Sequence, residues 1–195
     1  MGKGIAIIGW GSLIWDLEIL AQQVSGDWQM AGGPMLPMEF SRVSAKRKMG
    51  LVVCLDPDAG VNCPTHVIRS LRDDINSARV DLAARERAPH GRIGWADTAR
   101  GAGRMGSVVL QVQKWCDDTG WDGAVWTDLE PNFSDNTDTE FSVSAGISYL
   151  KTLTGENLSE AFNYIVNAPN HTQTPLRDAL ESDPWWQSLK KDKQR

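Results

Sequence analysis

Residues 5–8 (Ile5-Ala6-Ile7-Ile8) form a short continuous apolar run, which predicts a buried strand. The segment Gly9-Trp10-Gly11-Ser12 predicts a sharp turn out of it. Residues 36–44 alternate well enough for a strand and residues 50–55 read as its partner. The basic, glycine-containing link between them predicts a hairpin. Asp56-Pro57-Asp58-Ala59-Gly60 is turn chemistry, and residues 65–69 suggest another strand. Asp73 or Asp74 is placed to cap a helix that runs to about Arg87 and stops before Pro89. Residues 107–112 alternate as a strand and residues 123–127 form a short apolar one. Residues 141–153, 158–166 and 175–180 then predict three helices, with Asn157 or Ser159 and Thr174 as caps and Pro175 at a first helical position. Strands dominate the first two thirds and helices the last third, an α+β pattern.

Composition narrows the class. The chain has 195 residues, 41% hydrophobic and 23% charged, which fits one globular domain, or one with a helical appendage. The net charge of -5 and sequence pI of about 5.2 speak against a duplex nucleic-acid binder, which needs a basic face. The densest basic stretches, Lys46-Arg47-Lys48 and Lys190-Lys191-Asp192-Lys193, read as a solvated hairpin tip and tail. No apolar run reaches the ~18 residues of a membrane span. Cys54, Cys63 and Cys116 lack CxxC spacing, and His66, His90 and His171 lack metal spacing. The expectation is a chain with no metal site and no disulfide framework in a reducing, cytoplasmic compartment. Lys3 is followed by no long apolar run before Trp10, so a secretory signal is not expected. The aromatic balance is unusual, with Trp 9 against Phe 4 and Tyr 2.

Two segments carry candidate chemistry. In Gly9-Trp10-Gly11-Ser12-Leu13 the glycines permit unusual dihedrals and a close approach of ligand to backbone. Successive amides there can cradle an anionic oxygen; an ordinary glycine-rich turn is the plainer alternative. The dinucleotide fingerprint does not fit, because Ile14 stands where its third glycine belongs and no βαβ unit follows. Ser12 lacks the Gly-x-Ser-x-Gly elbow of a nucleophile. In the helix of residues 74–87, Ile75, Leu82 and Glu86 share a ~40° wedge, so Glu86 continues the core-facing stripe while Arg85 and Arg87 point elsewhere. A carboxylate in apolar surroundings has its pKa raised toward neutrality and can take and return protons. The alternative is a frayed last turn in which Glu86 pairs with Arg79 or Arg85 at the surface.

Together these residues resemble the gamma-glutamylcyclotransferase-like superfamily, which opens with a strand and a Tyr-Gly-Ser-(Asn/Leu)-Leu loop. Here the loop is Gly9-Trp10-Gly11-Ser12-Leu13-Ile14-Trp15, similar to the Gly-Ser-Leu-Ile-Trp version of the cation-transport-regulator-like branch. Leu82-Ala83-Ala84-Arg85-Glu86 resembles the pattern that closes the family's helix on its catalytic glutamate. The stretch from Gly33-Pro34-Met35 through Ser41-Arg42-Val43-Ser44 is also similar to a bacterial subgroup. The resemblance spans about residues 5–130. It implies a small mixed β-barrel flanked by helices in residues 1–139, with a C-terminal helical extension, residues 140–195, packed on the same domain. It also implies release of 5-oxoproline from a γ-glutamyl compound, with Glu86 catalytic, Trp10, Gly11, Ser12 and Leu13 binding substrate, and no cofactor. Two departures stand out: Trp10 replaces the usual tyrosine, and Arg87 follows the glutamate where glycine is common. A catalytically silent binding or regulatory domain that keeps the pocket is the alternative function.

Three further residues are pocket candidates. By alternation Glu39 shares a strand face with Pro37 and Ser41, either toward solvent or as a second polar group of the pocket. Arg42 falls on the other face with Phe40, as a partner for a substrate carboxylate or an edge charge. Trp126 ends a strand, where it either walls the site or fills the core. Trp185-Trp186 reads as docking of the terminal segment or, alternatively, as a homodimer contact.

Overall fold

The computed structural model describes residues 2–193. Strands and helices follow in the order β1 (Ile5–Gly9), β2 (Val24–Gln29), β3 (Met35–Ser44), β4 (Gly50–Leu55), β5 (Val61–Pro64), β6 (His66–Ser70), α1 (Ile75–Glu86), β7 (Ile93–Asp97), β8 (Gly101–Ala102), α2 (Gly106–Thr119) and β9 (Gly123–Thr127). The helices α3 (Phe133–Asn136), α4 (Val143–Thr152), α5 (Gly155–Asn167), α6 (Pro175–Ser182) and α7 (Pro184–Lys193) complete the chain. The α+β class is as the pattern predicts, but the barrel is not found. Among the described residues the strands form two open sheets, one ordered β2-β6-β1-β9-β7-β8 and one ordered β4-β3-β5. No described helix is long and apolar enough to cross a membrane.

The chain divides into two compact units that interleave in sequence. One holds residues 2–36 and 64–130, the other residues 37–63 and 131–193. The helices after residue 140, expected as an extension, thus share a unit with the β3–β4 hairpin.

In the first unit β1 is the hub. It pairs parallel with β9 (Ile8↔Trp126) and antiparallel with β6 (Gly9↔His66), while β7 lies antiparallel to β9 (Ile93↔Thr127). Successive side chains leave opposite faces of a strand. Ile5 and Ile7 of β1, Val125 of β9 and Ile93 of β7 therefore share one face, where they bury Ala78, Leu82 and Ala83 of α1. Ala96 and Trp126 fall on the other face beside Val109 of α2. There the fully buried Trp126 indole packs against β7 at Gly94, where an added Cβ would sit 2.2 Å from the ring.

Residues 107–112 are helical rather than a strand. Val108, Val109, Val112, Trp115 and Cys116 are the buried positions of α2, a helical repeat that six alternating residues are too few to reveal. The strand β7 runs through a segment with no clear apolar alternation, IGWAD, because both of its faces are covered.

In the second unit α5 packs on the hairpin. Gly50 meets Ala161, and the Phe40 and Tyr164 rings contact edge-on at 6.3 Å. Thr154 precedes α5, so that helix starts earlier than the Asn157 or Ser159 caps predict. Ser142 caps α4 and Thr174 caps α6, each accepting a backbone N–H three residues on. Trp186 is fully buried against Phe162, ring centroids 4.9 Å apart, which docks α7 within this unit.

Candidate functional site

A single end of the six-stranded sheet gathers most of the sequence candidates. Because β1 and β9 run parallel, the segments that leave them emerge at the same end, the carboxyl end that favours ligand sites in sheets with parallel strands. Trp10 follows β1 there, and Asp128 follows β9. The helix α1 begins beside Gly123, at the opposite end, where Ile75 touches it, and so runs toward the end that carries the loop.

The loop is a turn of 3-10 helix, Gly11–Ile14, entered from an extended Trp10. Gly11 has φ +56, a backbone conformation that glycine adopts without strain. Gly9 is pressed against the Trp28 ring, which an added Cβ would meet at 2.5 Å. Trp10, Gly11 and Leu13 are buried and Ser12 is half-buried. In a helical first turn the leading amides have no acceptor within the helix, so those of Gly11, Ser12 and Leu13 are the loop's donors by geometry. The turn is closed by the Asp16 amide, which donates to the Ser12 carbonyl at 2.9 Å.

Glu86 ends α1, and the surroundings expected for it are not found. The stripe predicted it among apolar groups with Arg85 turned away. Instead Arg85 is buried, its side chain 2% exposed, and its Nη1 donates to Glu86 Oε1 at 2.6 Å. Arg85 Nη2 donates to the carbonyl of Asp16, directly after the loop. The wheel fails here because the helix ends at this point. Arg87 is in the left-handed conformation, its amide closing back on Ala83 and Ala84, and Arg85 ties the last turn to the Asp16 carbonyl. Arg87 also pairs with Glu18 at 3.0 Å. One buried guanidinium thereby ties the candidate glutamate to the candidate loop. The pairing with Arg85 is the one that the frayed-turn alternative anticipates, but it is buried rather than at the surface, and its further bond to the Asp16 carbonyl has no signal in the sequence.

The remaining candidates divide between the units. Trp126 belongs to the same unit as the loop and Glu86. Glu39 and Arg42 belong to the other. Glu39 is fully buried rather than solvent-facing, and its carboxylate serves backbone amides: Oε1 accepts from Phe40 at 2.7 Å and Oε2 from Leu176 at 3.1 Å, at the start of α6. Burial pushes its carboxyl above the ordinary value, against the lowering by the Thr174 hydroxyl and those two amides. Arg42 is half-buried opposite Val52, and the strand's register shifts between Glu39 and Arg42. That bulge breaks the alternation from which their faces were read.

The same sheet end carries a cleft of about 310 Å³, lined by Arg79, Arg92, Arg104, Asp128 and nearby backbone. Asp128 is only 3% exposed. Its Oδ2 accepts the Arg104 amide, and its own amide donates to the Arg92 carbonyl at 2.8 Å. It lies two residues past Trp126, at the strand end that sequence reasoning singled out only for its tryptophan.

No family model matches this chain, and no curated protein or solved structure matches it.

Proposed function

We propose that this chain catalyses intramolecular acyl transfer on a γ-glutamyl compound, releasing 5-oxoproline and an amine or amino acid. The observation that carries this reading is the Arg85 bridge, which holds Glu86 beside the loop at the carboxyl end of β1. In this reaction the substrate α-amine attacks its own side-chain carbonyl carbon. A C–N bond forms, the amide C–N bond breaks, the attacking nitrogen loses a proton and the leaving nitrogen gains one. Glu86 takes the first proton and returns it to the leaving group, as one well-placed carboxylate can. Arg85 orients it. The leading amides of Gly11, Ser12 and Leu13 face the negative charge of the substrate carboxylate or of the carbonyl oxygen. Burial of Trp10 and Leu13 supports a confined site, which favours the folded substrate that ring closure needs.

The test is incubation with γ-glutamyl dipeptides, glutathione and γ-glutamylamines while 5-oxoproline is measured. Product is expected from at least one of them, and folded Glu86→Gln protein is expected to make none. Near-normal turnover by that variant removes Glu86 from the mechanism. A second reading, a binding domain without turnover, is favoured by Trp10, which lacks the hydroxyl of the family's tyrosine. It predicts tight binding of a small acid and no product.

A further inference from the structure

The cleft beside Asp128 is lined by neither Glu86 nor residues of the 10–13 loop. It has the features of a ligand site in its own right. Three arginines line it, Arg79, Arg92 and Arg104, against the carboxylates of Asp128 and of Glu130, which pairs with Arg92. The balance is positive in a chain whose net charge is -5. Arg79 is fixed before any ligand arrives: its Nε donates to the Ile93 carbonyl and its Nη2 to the His90 carbonyl, both at 3.2 Å. Burial lowers the Arg79 pKa, and an anion in the cleft opposes that lowering.

The second observation is independent of the arginines. Asp128 Oδ1 is buried and has no hydrogen-bond partner among the described residues, although Oδ2 of the same carboxylate is used. Native proteins leave few buried polar atoms unpaired, and an unpaired oxygen on a residue that lines a cleft is matched to a donor on what enters the cleft. The indole Nε1 of Trp126, two residues earlier, is also buried without a partner among the described residues.

We propose that this cleft is a second binding site, which takes a small organic anion carrying a hydroxyl or amino donor. The anionic group meets the guanidiniums and the donor meets Asp128 Oδ1. A volume of about 310 Å³ lies at the small end of ligand pockets, which suits a compact metabolite rather than a nucleotide. Carboxylate and phosphate share this chemistry, and the probes separate them.

The experiment titrates the whole chain with lactate and glycerol 3-phosphate, which carry donors, and with acetate and sulfate, which do not. Binding is read by calorimetry and by the Trp126 indole N–H resonance. A donor-bearing anion is expected to bind about tenfold more tightly than its donor-free counterpart. The preference for lactate over acetate identifies a carboxylate site, and that for glycerol 3-phosphate over sulfate a phosphate site. Asp128→Asn is expected to abolish the preference. Arg104→Gln, which keeps the backbone amide that Asp128 uses, is expected to weaken all four anions and serves if Asp128→Asn does not fold. Absence of binding up to ~10 mM, equal binding of donor-bearing and donor-free anions, or full binding by a folded Arg104→Gln protein overturns the proposal. None of these readouts depends on 5-oxoproline formation.

Discussion

Arg85 Nη1 lies 2.6 Å from Glu86 Oε1, so two residues adjacent in sequence form an ion pair at the end of α1, with only 2% and 15% of their side chains exposed. The same guanidinium holds the Asp16 carbonyl. Arg85→Met removes both bonds and leaves Glu86 without its orienting partner. The expected cost is about 1.5–3 kcal/mol of stability, because hydrogen bonds to charged groups are lost. The 5-oxoproline assay is expected to show a fall in kcat with KM little changed. Arg85→Lys restores the charge but not the fork, so partial rescue is expected. Unchanged kcat in a folded Arg85→Met protein removes the positioning role.

Gly11 tests the loop without touching a functional side chain. At φ +56 an alanine is strained, and Gly11→Ala is expected to cost about 1–2 kcal/mol. The loop's amides shift with it, so substrate affinity in the proposed reaction is expected to weaken as well. Thermal melting and KM together check this.

Gly94→Ala places a methyl 2.2 Å from the Trp126 indole, in a buried contact that has no room to yield. The expected destabilisation is about 1–3 kcal/mol, seen as a lowered melting temperature. Gly106→Ala is the control: nothing lies within 4 Å of its added Cβ, and alanine favours a helix, so the melting temperature is expected to hold or rise.

Glu39 gives stability a pH dependence. Its folded pKa is raised, so the folded chain holds the proton more tightly than the unfolded chain does. Its contribution is therefore full below the unfolded carboxylate value of about 4.3 and is lost as pH rises through the raised folded value. Glu39→Gln has no proton to bind there. The stability of the native sequence relative to that variant is expected to decline as pH rises from about 4 toward neutrality. Urea midpoints across that range measure it, and a constant difference contradicts it.

The three cysteines are buried, and burial pushes the Cys116 thiol up to about 12 and raises Cys63 as well. Since thiolate is the reactive form, iodoacetamide near pH 8 is expected to leave the native chain unmodified. Denatured protein is expected to take up three equivalents, counted by mass.

Much of the frame was legible in the chain. The apolar run of β1, the hairpin of β3 and β4, the Asp74 cap of α1 and the Pro175 start of α6 are local signals, and each element formed where its signal stands. The failures come from elements whose environment is set by distant partners. The valines of α2 look like a strand until the buried repeat reaches Trp115. Alternation leaves Glu39 open between solvent and a polar pocket, because the start of α6 that supplies one of its N–H donors lies far along the chain. For Glu86 the wheel's apolar stripe fails because the helix ends there, whereas the alternative of an Arg85 partner holds, though in a buried setting rather than at the surface. The loop and Glu86 were found as separate motifs, whereas the buried arginine that joins them depends on the Asp16 carbonyl, which no sequence spacing announces.

The interleaving of the two units also orders events during synthesis. The hairpin of residues 37–63 leaves the ribosome well before residues 131–193, which carry the helix that covers it. At ~5–20 residues per second, Phe40 waits several seconds for Tyr164 of α5. During that interval the nascent chain carries an apolar hairpin with no cover of its own, which makes it a point of engagement for chaperones and a point of weakness for any transcript that stops early.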